Sequence, residues 1–298
     1  MNNKVRITLC RNIDNGKNSN ALLAELSEIL NQNIGKKIEI DFIKVDFIAA
    51  NQLSVIAALF NEFCLDKKSK IIVLNVSAKI AEVMKKNGFG KYMGLEETQD
   101  IYHTTIPHKK FLVNQSLEFE KYLLLHIFQR DDIPLMSQQA KNTIIDNFLE
   151  IFNNAKDHAN TKEIYTCGQF FPKSKMLYFT ITDIGRTIKE NVESYFSLLN
   201  IKKSDEFCIQ WAFQEGNSTR MENSPGGLGL SMINHFVTMN QGRLTIMSAD
   251  ELYECERNRV RFFKMNHSFK GTVVTVGINM NDSFAYLAVG NSIEQILF

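Results

Sequence analysis

Short apolar runs alternate with amphipathic patterns through the first hundred residues, and this alternation limits the fold more than any other feature of the 298-residue chain. Apolar or alternating runs predict three strands, at 5–9, 37–47 and 71–76. Helical spacing of apolar residues predicts three helices, at 21–30, 52–64 and 79–87. Strands and helices that take turns in this way predict a small open α/β sheet covered by helices, over residues 1–100.

The pattern changes character near residue 100. Residues 101–134 contain one predicted helix, at 117–128, and are interpreted as a helical linker. The longest helical pattern of the chain follows, from Ser137 to His158. Beyond it the sequence predicts four strands, at 164–170, 176–182, 243–248 and 272–280. One further helix is predicted at 230–239. These elements predict a second α/β domain at 135–282, with a polar, irregular segment at 189–225. The apolar tail, 283–298, either packs on this domain or contacts a partner.

Charge and cysteine usage narrow the classes of function. Lys and Arg number 34 against 33 Asp and Glu, a formal charge of +1, which argues against a general electrostatic role on nucleic acid or an anionic membrane. The five cysteines are scattered and form no Cys-x-x-Cys pair, so neither a zinc site nor a disulfide framework is indicated. No apolar run approaches the roughly 18 residues that span a bilayer, and the first residues lack a secretory pattern. We therefore expect a cytoplasmic protein.

The long predicted helix carries the first candidate site residues. Spacing of four places Glu150, Asn154 and His158 on one stripe of the helix, with Asp157 beside it. An asparagine carbonyl is a suitable Mg²⁺ ligand when phosphates supply the negative charge, and Glu150 can accept a proton from a water or hydroxyl aimed at a phosphate. The alternative is the solvated face of an amphipathic helix, since such spacings also arise by chance.

Three further motifs follow in order. Asp183 and Gly185 come after a predicted strand, where a carboxylate can accept a hydrogen bond from an exocyclic amine; an ordinary Asp-x-Gly turn is the alternative. The glycine-rich stretch 224–231 opens a helix, and it suits either phosphate binding or a simple turn. Gly271 and Thr272 lead into an apolar strand, where the threonine hydroxyl can bond a ring nitrogen or a water.

Taken together and in register, these motifs resemble the GHKL family over about residues 135–280. This is the Bergerat-type ATP-binding fold of gyrase, the sensor histidine kinases and the anti-sigma-factor serine kinases. The resemblance implies an α/β (α+β) fold in which helices pack on one face of a mixed sheet. It also implies ATP and Mg²⁺ as ligands, with residues from about 189 to 225 as a mobile lid over the nucleotide.

The resemblance also implies a role for each site residue. Asn154 holds Mg²⁺, Asp183 binds the adenine amino group, Gly185 shapes the adenine pocket, and Thr272 lies near the adenine. Glu150 matches the glutamate that serves as base one turn before the asparagine in the anti-sigma-factor kinases.

Other positions of the family pattern fall in the glycine turn and on the helix. Gly227, Leu228 and Gly229 belong to the turn that admits the phosphates. Asp157 matches an aspartate that gyrase-type members have three residues after the asparagine. One departure is Thr187, which stands where the family usually has the second glycine of Asp-x-Gly-x-Gly.

The first hundred residues are similar, in a weaker way, to a STAS domain, the small fold of anti-sigma-factor antagonists. The similarity lies in Ile38–Phe60, in the strand IIVLNV and in the helix ending KKNGFGKYM. The Asp-Ser of the STAS loop is replaced by Ala49-Ala50-Asn51-Gln52, and Ser54 is the nearest hydroxyl. This half is therefore predicted to dock or sense a protein partner rather than to accept phosphate.

Two classes of function remain open. The first is an enzyme, either an ATPase or a serine/threonine-kinase-like phosphotransferase, with Glu150 as base. The second is a nucleotide-gated interaction module in which ATP closes the lid and changes a binding surface, with little turnover. Protein partners are expected through the STAS-like half or the lid, and the sequence is also compatible with a homodimer.

Overall fold

The computed structural model describes residues 5–65, 68–214, 217, 219, 228–289 and 292–297. Its N-terminal half contains, in chain order, β1 (Val5–Thr8), β2 (Asn12–Ile13), α1 (Lys17–Gln32), β3 (Lys37–Asp41), β4 (Phe47–Ile48), α2 (Leu53–Cys64), β5 (Lys70–Leu74) and α3 (Ala78–Lys86). Strands β1, β3 and β5 form a three-stranded parallel sheet in the order β1-β3-β5, and β2 pairs with β4 in parallel. The alternating α/β pattern predicted for this half is therefore present.

The single strand predicted at 37–47 is divided in two. Strand β3 ends at Asp41, and the structure places β4 at Phe47–Ile48. The Asp41 carboxylate accepts hydrogen bonds from Arg6 and from Asn75, and it also accepts the backbone N–H of Ile43 at 3.0 Å. This side-chain-to-backbone bond turns the chain out of the strand, which alternation of apolar residues does not reveal.

The remaining elements are, in order, β6 (Thr105–Leu112), α4 (Ser116–Leu123), α5 (Gln138–Asp157), β7 (Glu163–Phe171), β8 (Met176–Asp183), α6 (Ile188–Leu198), α7 (Cys208–Phe213), α8 (Leu228–Met239), β9 (Arg243–Glu256), β10 (Arg259–Asn279), β11 (Phe284–Val289) and β12 (Ser292–Leu297). Five of these strands form one sheet in the order β6-β7-β8-β10-β9. The predicted α/β class is present, with the long helix α5 close to its predicted bounds.

Every neighbouring pair in the five-stranded sheet is antiparallel, so the expectation of a mixed sheet is wrong. Short connections explain the difference. Strands β9 and β10 are joined by Arg257 and Asn258, both at positive φ, and such two-residue turns join antiparallel strands. Parallel pairing is confined, among the described residues, to the N-terminal half and an isolated bridge between Met136 and Tyr286.

Residues 101–134, expected to be a helical linker, instead contribute to the sheet and its helical layer. Strand β6 is the edge strand beside β7, and α4 packs across it. Phe119 of α4 stacks on Phe152 of α5, with ring centroids 4.6 Å apart, and also meets Phe111 of β6 at 5.5 Å. Buried aromatic contacts of this kind make the segment part of the core rather than a connection between domains.

The segment 189–225, expected to be irregular, contains two helices. Helix α6 begins after Thr187, and α7 packs against it through Trp211, whose ring centroid lies 5.6 Å from those of both Tyr195 and Phe196. Helix α6 is rich in polar residues and α7 has only six residues, so neither gives a long apolar pattern in the sequence. The end of this segment lies largely outside the described residues, as does Gly227 just after it.

The five-stranded sheet is covered on both faces. Helices α4, α5 and α8 pack on one face around a core that includes Phe148, Phe179 and Phe236. The N-terminal half packs on the other face, where Cys167 and Val273 of the sheet share a core with α1 and α2. The tail packs on its own domain, because Tyr286 is fully buried in the first of these cores. Within the described residues, no helix is both long and apolar enough to cross a membrane.

Candidate functional site

A cavity of about 520 Å³ is lined by helix α5, the end of β8, the neighbouring part of β10, and helices α6 and α7. Its walls include three of the α5 residues identified from sequence, Glu150, Asn154 and Asp157. Asp183 and Thr272 also line it. The chain thus brings residues more than a hundred positions apart into one concave site.

Helix α5 presents its polar residues to the cavity because its apolar face is buried in the core. The helix begins after Ser137, whose Oγ accepts the N–H of Ala140 at 3.1 Å, a typical N-cap bond. Phe148 and Phe152 are fully buried, whereas Glu150 and Asn154 are half-buried. The spacing of four therefore does place the two polar side chains on the cavity side of the helix.

The end of α5 is tied to the helices that close the cavity. His158 caps the helix, and its backbone carbonyl accepts the Nδ2–H of Asn191 of α6 at 3.0 Å. Its ring Nδ1 lies 3.1 Å from the Oγ1 of Thr219. Asn191, Trp211 and Thr219 also line the cavity, and sequence reasoning did not assign them a role individually. The sequence signal for this wall was the segment from about 189 to 225, which the family resemblance implies to be a lid.

Asp183 ends strand β8 inside the protein, with only 7% of its surface exposed. Its Oδ1 accepts the backbone N–H of Gly185 at 3.1 Å. Burial raises the pKa of Asp183 to about 7, and the nearby backbone N–H groups of Gly185 and Thr272 oppose this rise only in part. A buried carboxyl with a pKa near neutrality, facing a cavity, is a strong indicator of a functional site.

Thr272 lies opposite Asp183 in the β8–β10 register. Whether its hydroxyl donates or accepts a hydrogen bond is decided by the neighbouring Ser248. Ser248 Oγ donates to the carbonyl of Gly271 at 2.8 Å, so its single proton is used. The Thr272 hydroxyl, 3.1 Å away, must then donate to Ser248. Thr272 consequently offers only lone pairs to a ligand, which favours a water or an amine over a direct bond to a ring nitrogen.

Two glycines allow the backbone around Asp183 to close. A Cβ on Gly185 would lie 2.1 Å from the carbonyl oxygen of Ala159, in the turn after α5. A Cβ on Gly271 would lie 2.1 Å from the carbonyl oxygen of Asp183, and Gly271 also has a φ of +104°, which favours glycine. Gly185 therefore shapes the site through backbone packing. Gly271 has a similar role that sequence reasoning did not assign to it.

Thr187, the departure from the family's glycine pattern, has a structural explanation. Its Oγ1 accepts the N–H of Glu190 at 3.1 Å, while its own N–H donates to the Glu190 side chain at 2.7 Å. These reciprocal bonds form a capping box that begins helix α6. At this position the chain begins a helix, whereas a second glycine would leave the backbone more flexible.

The glycine turn is described only at its end. Gly227 lies outside the described residues, whereas Leu228 and Gly229 form the first two positions of helix α8. Leu230, in the first turn of α8, lines the cavity. The helix start predicted at this point of the chain is thus present at the cavity wall.

The described residues contain no group of three or more His, Cys, Asp or Glu side chains arranged to hold a metal ion. The chain matches no protein-family model, and no curated protein matches it. What the cavity binds must therefore follow from the chemistry of its own residues. Those residues include a buried carboxyl, Asp183, and the acidic and amide side chains on one face of α5.

The raised pKa of Asp183 predicts a pH dependence of stability. The unfolded carboxyl loses its proton near its ordinary pKa of 3.8, whereas the folded one keeps it until about 7. The folded state therefore holds more protons between these values, and stability falls as pH rises through this window, by about 4 kcal/mol in total. Asp183→Asn removes the titration. The free energy of unfolding of the variant, relative to wild type, should rise by about this amount from pH 4 to pH 8.

Urea denaturation at several pH values measures this difference. Asp131→Asn, at an exposed carboxylate away from the cavity, is the matched control and should show no comparable trend. A difference between Asp183→Asn and wild type that stays constant with pH would contradict the assigned burial of this carboxyl.

Proposed function

We propose that the cavity binds ATP with Mg²⁺ and that the chain is an ATP-binding regulatory protein of the GHKL type. One observation carries the proposal: Glu150, Asn154 and Asp157 of α5 share a single cavity with Asp183 at the end of β8 and Thr272 beside it in β10. The cavity volume, about 520 Å³, lies in the range of small-molecule and cofactor sites. The proposed protein is closest in type to the anti-sigma-factor kinases, whose glutamate and asparagine spacing it shares.

Asp183 is the proposed partner of the adenine amino group. The ionised carboxylate has two oxygens, which together can accept the N–H groups of Gly185, Thr272 and the exocyclic amine. Hydrogen bonding to the charged form lowers the pKa of a carboxyl. Binding of adenine should therefore release the proton that Asp183 holds below about pH 7 in the free protein.

Asn154 is the proposed protein ligand of Mg²⁺. Without a three-carboxylate cluster among the described residues, the site suits a magnesium ion that takes most of its ligands from phosphates and water. The amide oxygen of Asn154 adds a neutral ligand to such a set, and Asp157 lies one turn further along the same wall. When bound, the ion neutralises charge that develops on the phosphate oxygens.

Glu150 is the proposed general base. It lies one helical turn before Asn154, on the same cavity wall, and its carboxylate can accept a proton from an attacking water or from a hydroxyl of a protein partner. The attacking group distinguishes the two reactions: it is water in an ATPase and a protein hydroxyl in a serine/threonine kinase. The residues of the cavity are compatible with both, because the base has the same task in each reaction.

A second function, a nucleotide-gated interaction module, is favoured by a different observation. Leu198, Leu199 and Ile201, at the end of α6, expose 70%, 45% and 56% of their surfaces. The start of the same helix lines the cavity through Asn191 and Val192. A nucleotide that shifted α6 would therefore also change an exposed apolar surface, as a switch protein requires.

The N-terminal half is proposed as the STAS-like regulatory module, held against the sheet by the turn that resembles the STAS phosphoacceptor loop. Asn51 in this turn is fully buried and donates from Nδ2 to Thr180 Oγ1 of β8 at 3.0 Å. The neighbouring Ser54 is also fully buried and donates to the carbonyl of Asn51. Both observations support docking rather than phosphorylation at this turn.

The function is tested by following ATP that is labelled on its γ-phosphate. Purified protein should bind ATP saturably, and binding should weaken when Mg²⁺ is chelated. Label released as phosphate identifies an ATPase, label transferred to protein identifies a kinase, and label retained on bound ATP identifies the switch. Failure to bind ATP at millimolar concentration, with or without Mg²⁺, would refute the proposed function.

A further inference from the structure

Ser248 of β9 connects the start of helix α6 with the cavity residue Thr272 through a single hydroxyl. The side chain is fully buried. Its Oγ accepts the backbone N–H of Ile188 at 3.0 Å and donates to the carbonyl of Gly271 at 2.8 Å. Ile188 is the first residue of α6, and its N–H is one of the helix-start donors that have no partner within the helix. Ser248 therefore satisfies a helix start and a carbonyl of β10 at the same time.

The same hydroxyl sets the orientation of the Thr272 hydroxyl, whose Oγ1 lies 3.1 Å from Ser248 Oγ. A serine hydroxyl has one proton, and Ser248 uses it on the Gly271 carbonyl. Thr272 is then the donor of this pair, and only its lone pairs are left for the cavity. If Thr272 donated to a ligand instead, the two hydroxyl oxygens would face each other without a proton between them, and a buried hydrogen bond would be lost.

We propose that Ser248 is a specificity-determining positioning residue: it holds Thr272 as an acceptor and thereby selects ligands that present N–H groups beside Asp183. Thr272 and Asp183 lie opposite each other in the strand register, and both line the cavity. A carboxylate oxygen and a hydroxyl lone pair together fit the two N–H groups of one exocyclic amine, whereas a bare ring nitrogen brings a further lone pair against them. Among purine nucleotides, those that carry an amine on this edge of the base are therefore preferred.

The experiment compares ATP with purine riboside triphosphate, which lacks the amine and keeps the ring nitrogens. Calorimetry measures both affinities at about pH 8, where most of the Asp183 carboxyl is ionised. Ser248→Ala frees the Thr272 hydroxyl to donate to a ring nitrogen, so the preference for ATP should fall by about three- to tenfold, the value of one neutral hydrogen bond. The variant also removes the acceptor of the Ile188 N–H, but a resulting shift of α6 affects both nucleotides alike and leaves their ratio unchanged.

Ser54→Ala is the matched control. Ser54 is also fully buried and donates its proton to a backbone carbonyl, that of Asn51, but it does not line the cavity. This substitution should leave the nucleotide preference unchanged. An unchanged preference in Ser248→Ala, or an equal fall in Ser54→Ala, would overturn the inference.

Thr272→Val tests whether Ser248 acts through Thr272. This substitution removes the hydroxyl that Ser248 orients, so Ser248→Ala should have no further effect on the nucleotide preference in the Thr272→Val background. A purely structural role of Ser248 would change the preference by the same factor in both backgrounds. That result would contradict the proposed role, because Ser248 would then act without Thr272.

A second measurement needs no nucleotide, whereas the nucleotide preference rests on the proposed function. NMR follows the exchange of the Thr272 hydroxyl proton with water, which should be slow in the free wild-type protein and fast in Ser248→Ala. The exposed Thr8 supplies the fast reference. If the Thr272 hydroxyl of wild type exchanges as fast as that of Thr8, the inference fails, even where Ser248→Ala does not fold. If the proton is protected but wild type binds no ATP, the proposed function fails and the role of Ser248 in orienting Thr272 stands.

Discussion

Replacement of Asp183 by asparagine is expected to lower the affinity for ATP by at least about a hundredfold. Three donors converge on this side chain in the proposed complex: the N–H groups of Gly185 and Thr272, and the adenine amine. A carboxylate offers two acceptor oxygens, whereas asparagine offers one oxygen and an NH₂ group that faces donors. The buried donor left unpaired then costs about 2 to 3 kcal/mol, which corresponds to this loss of affinity.

Isothermal titration calorimetry measures this loss, in parallel with the Asp131→Asn control. Urea denaturation of Asp183→Asn at the same pH separates weak binding from unfolding of the variant. The proposed adenine contact also predicts that ATP affinity in the wild type increases as pH rises through about 7, as the Asp183 carboxyl ionises. An affinity within about threefold of wild type would remove Asp183 from the adenine pocket.

Replacement of Glu150 by alanine is expected to reduce turnover by about a hundredfold to ten-thousandfold, the usual contribution of a positioned general base. Binding of ATP should change by less than about threefold, since the proposed adenine and metal contacts lie at Asp183 and Asn154. Glu150→Gln, which keeps the shape of the side chain and removes its basicity, should show the same separation of turnover from binding.

The label assay measures this effect for both proposed reactions. Glu118→Ala, at an exposed glutamate of helix α4 outside the cavity, is the control and should retain wild-type turnover. Equal turnover in wild type and Glu150→Ala would remove Glu150 from the mechanism and leave the cavity as a binding site. If wild type itself shows no turnover but binds ATP, the exposed apolar residues of α6 become the place to look for a nucleotide-dependent partner.

Local sequence patterns were most reliable where apolar periodicity and a cap agree. Helix α5 was predicted within about one residue, because its apolar stripe is regular and Ser137 caps its start. Strands β7 and β8 were also predicted closely, since buried strands read as short apolar runs between turns. These three elements supply Glu150, Asn154, Asp157 and Asp183, and so the sequence located most of the candidate site.

The patterns failed where long-range contacts decide the structure. Strand β6 contains Pro107, Lys109 and Lys110, which do not resemble a strand locally, yet it pairs with β7 some fifty residues away. Helix α6 was missed because its polar residues dominate, although the Thr187 and Glu190 capping box that begins it is visible in the sequence. Edge and surface elements draw much of their stability from partners that a local window does not contain.

Sequence by itself determined which side chains the chain offers for chemistry, and in what order: a helical Glu-Asn-Asp set, a strand-end Asp-x-Gly and a Gly-Thr before a strand. Only the tertiary structure decided that the N-terminal half covers the far face of the sheet and that Lys270 of β10 pairs with Glu62 of α2. It also decided that Asp183 is buried, with a pKa near 7. The physical reason is that motifs are local, whereas burial, desolvation and the second hydrogen-bond partner come from residues far away in the chain.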